Sequence, residues 1–285
     1  METMIEKWLT RFWPPWRERR PVVAVLRLSG VIGGESRLSG GLNLTGLAGQ
    51  IERAFKFHHL KAVALSVNSP GGSPVQSALI ARRIRALADE KKVPVFAFAE
   101  DVAASGGYWL ACAGDEIYAD ENSIIGSIGV IYAGFGFQAL LEKIGIERRL
   151  HTRGDKKMML DPFAAEDAED VTRLMALQKD VHDSFKAYVR KRRGERLKGA
   201  QRKLFSGEVW TGKRAVGLGL IDGLGDLRTV MRARYGDKVR LRVVAGRRGW
   251  LDRRLRLPLG MSSVGWAEQL IEAIETRGHW HRFGL

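Results

Sequence analysis

Three short stretches hold residues able to do chemistry together. They are Asn68-Ser69-Pro70-Gly71-Gly72, the segment 101–109 with Ser105 at its centre, and the segment 154–162 with Lys156 and Lys157. Ser105 lies between Ala104 and Gly106, after an apolar run and before a second one opening with Tyr108-Trp109-Leu110. A serine at such a strand-to-helix turn exposes its hydroxyl where backbone N–H groups and the positive end of a helix converge. The plainer reading is a helix N-cap. Gly71 and Gly72 also end an apolar run; they can offer backbone donors to an oxyanion or form an ordinary β-turn. A lysine serves as general base only where desolvation or a neighbouring cation lowers its pKa. Lys157 has both in sequence, with Met158, Met159 and Leu160 after it and Lys156 before it. Most lysines are nonetheless simply solvated.

These stretches need a frame. Apolar runs predict strands over 22–28, 60–67 and 93–99, with shorter ones over 116–119 and 128–132, and 147–151 leads back into a strand. Helical spacing covers 47–57, 75–90 and 140–144, and a longer helical region spans 164–203, acidic early and basic late, which suits the helix dipole. Residues 29–46 are glycine-rich and read as a mobile loop. Strands alternating with helices imply α/β layers around a largely parallel sheet. Loops after neighbouring parallel strands then meet at the sheet's C-terminal edge, where such proteins place their sites. The expected organisation is a Trp-rich leader over 1–20, one domain over 21–235 and a basic extension over 236–285. No internal repeat is visible.

Composition narrows the functional classes. The chain has 285 residues, 45% hydrophobic and 28% charged, which suits a folded domain rather than a disordered one. The single cysteine, Cys112, allows neither an internal disulfide nor a cysteine-based zinc site, and its apolar neighbours mark it as core. The net charge of +15 is concentrated in 186–203, with nine Lys or Arg, and 240–256, with seven Arg. Such stripes either are solvated faces or attract polyanions. No nucleic-acid motif accompanies them, so an anionic membrane surface is the favoured partner over nucleic acid. No stretch approaches the roughly 18 apolar residues that cross a bilayer. Lys7 and Arg11 interrupt any signal-peptide core, while Trp8, Phe12, Trp13 and Trp16 suit an interfacial anchor or a docked helix. The expected location is the cytoplasm, peripheral on the inner membrane.

The motifs are more specific in combination. SPGG after one strand, AASGGYW after the next, GSIGV over 126–130 and a G-x-x-K ending at Lys157 resemble the signal peptide peptidase A (SppA, SohB-like) serine peptidases of the ClpP/crotonase superfamily. The resemblance runs from about 22 to 227, including SGEVWTGKRAVGLGLIDGLGD over 206–226. It implies an α/β fold of stacked ClpP/crotonase-like βαβ units, here with a helical segment and the basic C-terminal extension. It implies Ser105 as nucleophile, Lys157 rather than Lys156 as base, and Ser127 as a hydrogen-bond partner of that lysine. Gly71, Gly72 and the N–H of Gly106 would form the oxyanion hole, with no metal or cofactor. Substrates would be signal peptides or other short unfolded or membrane-derived peptides. Homo-oligomers would share each site between adjacent protomers. Two departures stand out: Met158 and Met159 replace the family's Asp and small residues, and no transmembrane helix is evident. A Ser-His-Asp enzyme would need a histidine between Ser105 and His151, and none is there. An acyl-CoA enzyme of crotonase type would need carboxylates in place of the Ser–Lys pair. A non-catalytic membrane-surface scaffold would need only the basic stripes.

Overall fold

The computed structural model describes residues 20–33, 41–154 and 156–245, with 278 and 280–284 near the far end. The Trp-rich leader, loop residues 34–40 and the amphipathic stretch around Trp266 to Ile274 lie outside the described residues. Three parallel strands make the centre: β1 (Val22–Ser29), β2 (Leu60–Ser69) and β3 (Val95–Ala104). They are covered on both faces, hence their nearly continuous apolar sequences. Helix α1 (Leu44–Ala54) starts at Asn43, whose side chain caps Gly46 N–H. Helix α2 (Pro74–Lys91) starts at Ser73, with Pro74 in the first turn, where its missing N–H costs nothing. The short helix α3 (Gly106–Ala111) follows β3 directly through Ser105.

Beyond β3, two short strands share its free edge. β4 (Glu116–Ala119) pairs with 96–99 and β5 (Ile124–Gly126) with 102–104. Helices α4 (Gln138–Lys143) and α5 (Ala168–Arg193) follow, then a 3₁₀ turn at Gly194–Arg196 and α6 (Gln201–Leu204). The strand β6 (Val209–Thr211) runs antiparallel to β5, helix α7 (Gly212–Gly217) follows, and β7 (Gly223–Leu224) lies beside β4. Helix α8 (Leu227–Tyr235) leads to β8 (Arg240–Val243), parallel to β1. The main path of the sheet is β6-β5-β3-β2-β1-β8. Residues of α1, α2, α3 and α5 build the larger core on one face, whereas Met231 of α8 closes Val23, Val25, Ala62, Phe96 and Phe98 on the other.

The α/β expectation stands, with local corrections. The strand expected over 128–132 is instead Ile124–Gly126, because Gly126 (φ 113°) and Ser127 (φ 51°) turn into left-handed geometry and end the extended backbone. No strand forms over 147–151; those residues are exposed and have no ladder partner. The helical region begins at Ala168 and breaks at Gly194, whose φ of 52° suits glycine. The last strand, β8, lies beyond 235, so part of the expected extension completes the sheet. The glycine-rich loop is pinned in part: Ile32 is buried and bridges both Leu42 and Gly72.

Between β5 and α5 the chain leaves the body as an exposed arm. Its Phe137 ring lies 6.3 Å from that of Phe135 and 5.7 Å from that of Phe163. The Arg148 guanidinium sits 5.0 Å from the Phe163 ring and pairs with Asp161. Ile131, Tyr132, Phe135, Leu140, Ile144 and Ile146 all remain exposed, Phe135 by 82%.

Candidate active site

Ser105 occupies a sharp strand-to-helix turn with φ 52° and ψ −121°, a conformation a side chain disfavours. β3 extends to Ala104 and so delivers it to the C-terminal edge of the sheet. Its N–H donates to Gly126 O (2.8 Å), and its carbonyl accepts from Trp109 N–H (3.0 Å) in the first turn of α3. Those two bonds hold the backbone and leave the hydroxyl without a partner among the described residues. Strained turns of this kind are how α/β enzymes expose a nucleophile.

The SPGG turn is pressed against it. A β-carbon on Gly71 (φ 111°) would lie 2.8 Å from Ser105 Cβ and 3.0 Å from Gly106 N. One on Gly72 would lie 2.1 Å from Ile32 O, and one on Gly106 would meet Ser77 Oγ at 2.5 Å. These glycines are required by close approach, because each neighbour is itself fixed. Gly71 O accepts from Ile32 N–H and Ile32 O from Ser73 N–H, both at 2.8 Å. Gly71 N–H faces Ser69 Oγ at 3.3 Å. Gly72 N–H makes no hydrogen bond with a described residue, and Gly106 N–H opens α3, where no intrahelical acceptor exists. Ser105, Gly71, Gly72 and Gly106 therefore come together.

Ser127 forms a second wall. Gly126 O already holds Ser105 N–H, and Ser127 N–H donates to Glu208 O at 2.7 Å. Ser127 is 8% exposed, and Gly129 N–H closes a tight turn onto its carbonyl at 2.9 Å. Lys157 is placed differently. It lies in a turn of the arm, exposed, with its N–H on Gly154 O (3.1 Å) and its ammonium free of described partners. Lys156 instead pairs with Glu169 at 3.0 Å. Among the described residues the desolvation expected from Met158 is not supplied, since Met158 is itself exposed.

Three residues at the site escape a reading of the sequence. Ile32 and Ser77 act through packing and backbone contacts between distant segments, and only the glycine pairs hinted at such closeness. His182, on α5, places its ring Nε2 3.1 Å from Ile128 O, beside Ser127. A cavity of about 700 Å³ lies elsewhere, over the upper part of the α8-covered face of the sheet. It is lined by Val25, Arg27, Phe98, Glu100 and Asp226 among others, and by none of the residues above. Cys112 is buried at the end of α3, and burial pushes its thiol up to about 11, so it stays an inert core residue.

The profile of Peptidase family S49 matches residues 87–239. A chain of Brucella abortus named Na(+)/H(+) antiporter NhaA is 51% identical over 274 residues, covering 92% of this chain and 37% of that one. A putative signal peptide peptidase SppA of Enterococcus faecium is 32% identical over 71% of this chain and 60% of its own length. A putative protease of Synechocystis is 31% identical, covering 75% of this chain and 73% of that one. This chain thus spans little more than a third of the Brucella relatives it matches. Among solved structures, a lysine-to-alanine mutant of the 1510-N membrane-bound stomatin-specific protease, in complex with a substrate peptide, superposes with a TM-score of 0.50. It is 17% identical over 82% of this chain and 96% of that one, a likeness of fold. The described fold is accordingly ClpP/crotonase-like.

Proposed function

Because this chain belongs to peptidase family S49, we propose that it is a serine endopeptidase with a Ser105–Lys157 dyad. Its substrates are signal peptides or other short, unfolded or membrane-derived peptides. The observation that carries this reading is the left-handed turn at Ser105, with the backbone of Gly71 packed directly on it. Neutral Lys157 accepts the Ser105 proton as Oγ attacks the scissile carbonyl. The N–H groups of Gly72 and Gly106 receive the developing oxyanion, an interaction strongest in the transition state. Lys157 then protonates the leaving amine and activates the water that hydrolyses the acyl-enzyme. Ser127 orients the lysine. Nothing in this cycle calls for a cofactor.

The lysine has to be desolvated to act at neutral pH. A second copy of the chain laid on the apolar arm would bury both the arm and Lys157. The active form is therefore a homo-oligomer with each site shared between neighbours. We further place it at a membrane surface. The names of the antiporter and membrane-bound protease relatives support this, as does the net charge of +15. No described helix is long and apolar enough to cross a membrane.

The test is hydrolysis of casein and of an apolar signal-sequence peptide by wild type, Ser105→Ala, Lys157→Ala and Lys156→Ala, with assembly followed by light scattering. The first two variants should lose activity by about 10³-fold or more while assembling normally; Lys156→Ala should keep it. Activity surviving Ser105→Ala would end the peptidase reading. An active Lys157→Ala would move the base elsewhere.

A further inference from the structure

We propose that His182 is a positioning residue. It ties α5 to the Ser127 wall and thereby fixes that wall against the helix that carries the nucleophile. The inference rests on the peptidase reading above. A carbonyl oxygen only accepts, so the 3.1 Å contact with Ile128 O means that His182 Nε2 carries a hydrogen and donates it. The neutral Nε2–H tautomer and the imidazolium both make this bond. That nitrogen is thereby unavailable as a base for Ser105.

The rest of α5 explains why the bond matters. One turn further along the helix, Phe185 stacks on Trp109 with centroids 4.7 Å apart, and Tyr188 stacks on the same ring at 5.3 Å. Trp109 belongs to α3, the helix that begins directly after Ser105. Arg192 donates to Cys112 O (2.8 Å) and Gly114 O (2.9 Å), just past the end of α3. Arg193, 2% exposed, holds Gly219 O and Asp222. The C-terminal half of α5 is thus fastened to α3 and to the segment before β7. His182 carries that fastening to the other side of the site. The Ser127 wall itself is fixed to Ser105 through Gly126 O and to Glu208 O. At Ile128 the chain is still buried; from Ile131 it is exposed. His182 therefore grips the last buried residue before the arm that bears Lys157, and both Ser127 and the base of the arm take their position from it.

Three substitutions separate donor from bulk: His182→Ala, His182→Phe, which fills space without donating, and His182→Gln, which keeps an N–H donor. Deuterium exchange of the full chain, read by mass spectrometry, reports the contact independently of activity. Ala and Phe should accelerate exchange in peptides covering 124–131 by about tenfold and leave peptides covering 185–193 as in wild type. In the same variants kcat should fall by about tenfold with KM changed less than about twofold, and Gln should restore both. Exchange in the Phe variant equal to wild type would reduce His182 to packing and overturn the proposal. So would acceleration spread evenly along α5, or accelerated local exchange with kcat intact. If Ser105→Ala were active, the peptidase reading would fail, yet the exchange data would still decide whether His182 holds this wall.

Discussion

Ser105 carries a local cost: a non-glycine residue at φ 52° is disfavoured by about 1–3 kcal/mol, and the surrounding packing has to sustain it. Gly71 is the nearest support. Gly71→Ala puts a methyl 2.8 Å from Ser105 Cβ at a backbone φ of 111°, so either the turn or the serine must move. We expect kcat to fall by about 100-fold, since a displacement near 1 Å is enough for that loss. Circular dichroism should still show a folded chain; a variant folded and fully active would mean that the turn does not set the serine. At this scale the serine and its glycines were legible from the motifs in combination, since alanine–serine–glycine alone also reads as a helix N-cap. Their support was not. Ile32 belongs to a glycine-rich stretch that resembles a mobile loop, and its burial against Gly72 is a contact across forty residues with no local signature. His182 was equally silent, since a lone histidine on an amphipathic helix is ordinarily surface or core.

Helix α5 shows how charge can mislead at the level of an element. The run 186–203 looked like either a solvated face or a polyanion site, yet much of it is internal fastening. Arg190 lies 4.8 Å from the Phe205 ring, Arg192 caps the carbonyls after α3, and Arg193 is buried against Asp222 at 2.6 Å with Arg196 alongside at 3.3 Å. Removing Arg193 strands a half-buried carboxylate, so Arg193→Ala should cost about 3–5 kcal/mol in urea unfolding, and Arg193→Met less, since it refills the space. Burial alone would raise the Asp222 carboxyl; the bonds from Arg193 and from Ile117 N–H, with Arg196 nearby, outweigh it and hold the group below its ordinary 3.8. A depressed folded value stabilises above the unfolded one, and that contribution disappears as pH falls through the folded value. The stability gap between wild type and Asp222→Asn should therefore be full near neutrality and shrink below pH 3.8. A gap constant down to pH 2 would show that the carboxylate contributes nothing through its charge.

For the whole molecule the deciding feature is the arm. In sequence the region reads as a short strand over 128–132, a helix over 140–144 and a stretch at 147–151 leading into a strand. Among the described residues nothing lies over the arm's exposed side chains, and that could not be read locally. An exposed apolar surface of this extent marks an interaction site. Cyclic assembly of identical chains would cover it repeatedly while bringing a neighbour's Lys157 towards each Ser105. Mixing distinguishes this from a site complete within one protomer. Ser105→Ala subunits keep the lysine and Lys157→Ala subunits keep the serine. After subunit exchange in equal amounts, random neighbours reconstitute about a quarter of the sites, and activity should recover to about that fraction of wild type. A dyad formed within one chain would leave the mixture as inactive as its parts. Phe135→Asp with Ile144→Asp in both partners should abolish the recovery and shift the light-scattering mass to that of single chains. Recovery that persisted in such monomers would remove the arm from the site and leave its exposed rings to another partner.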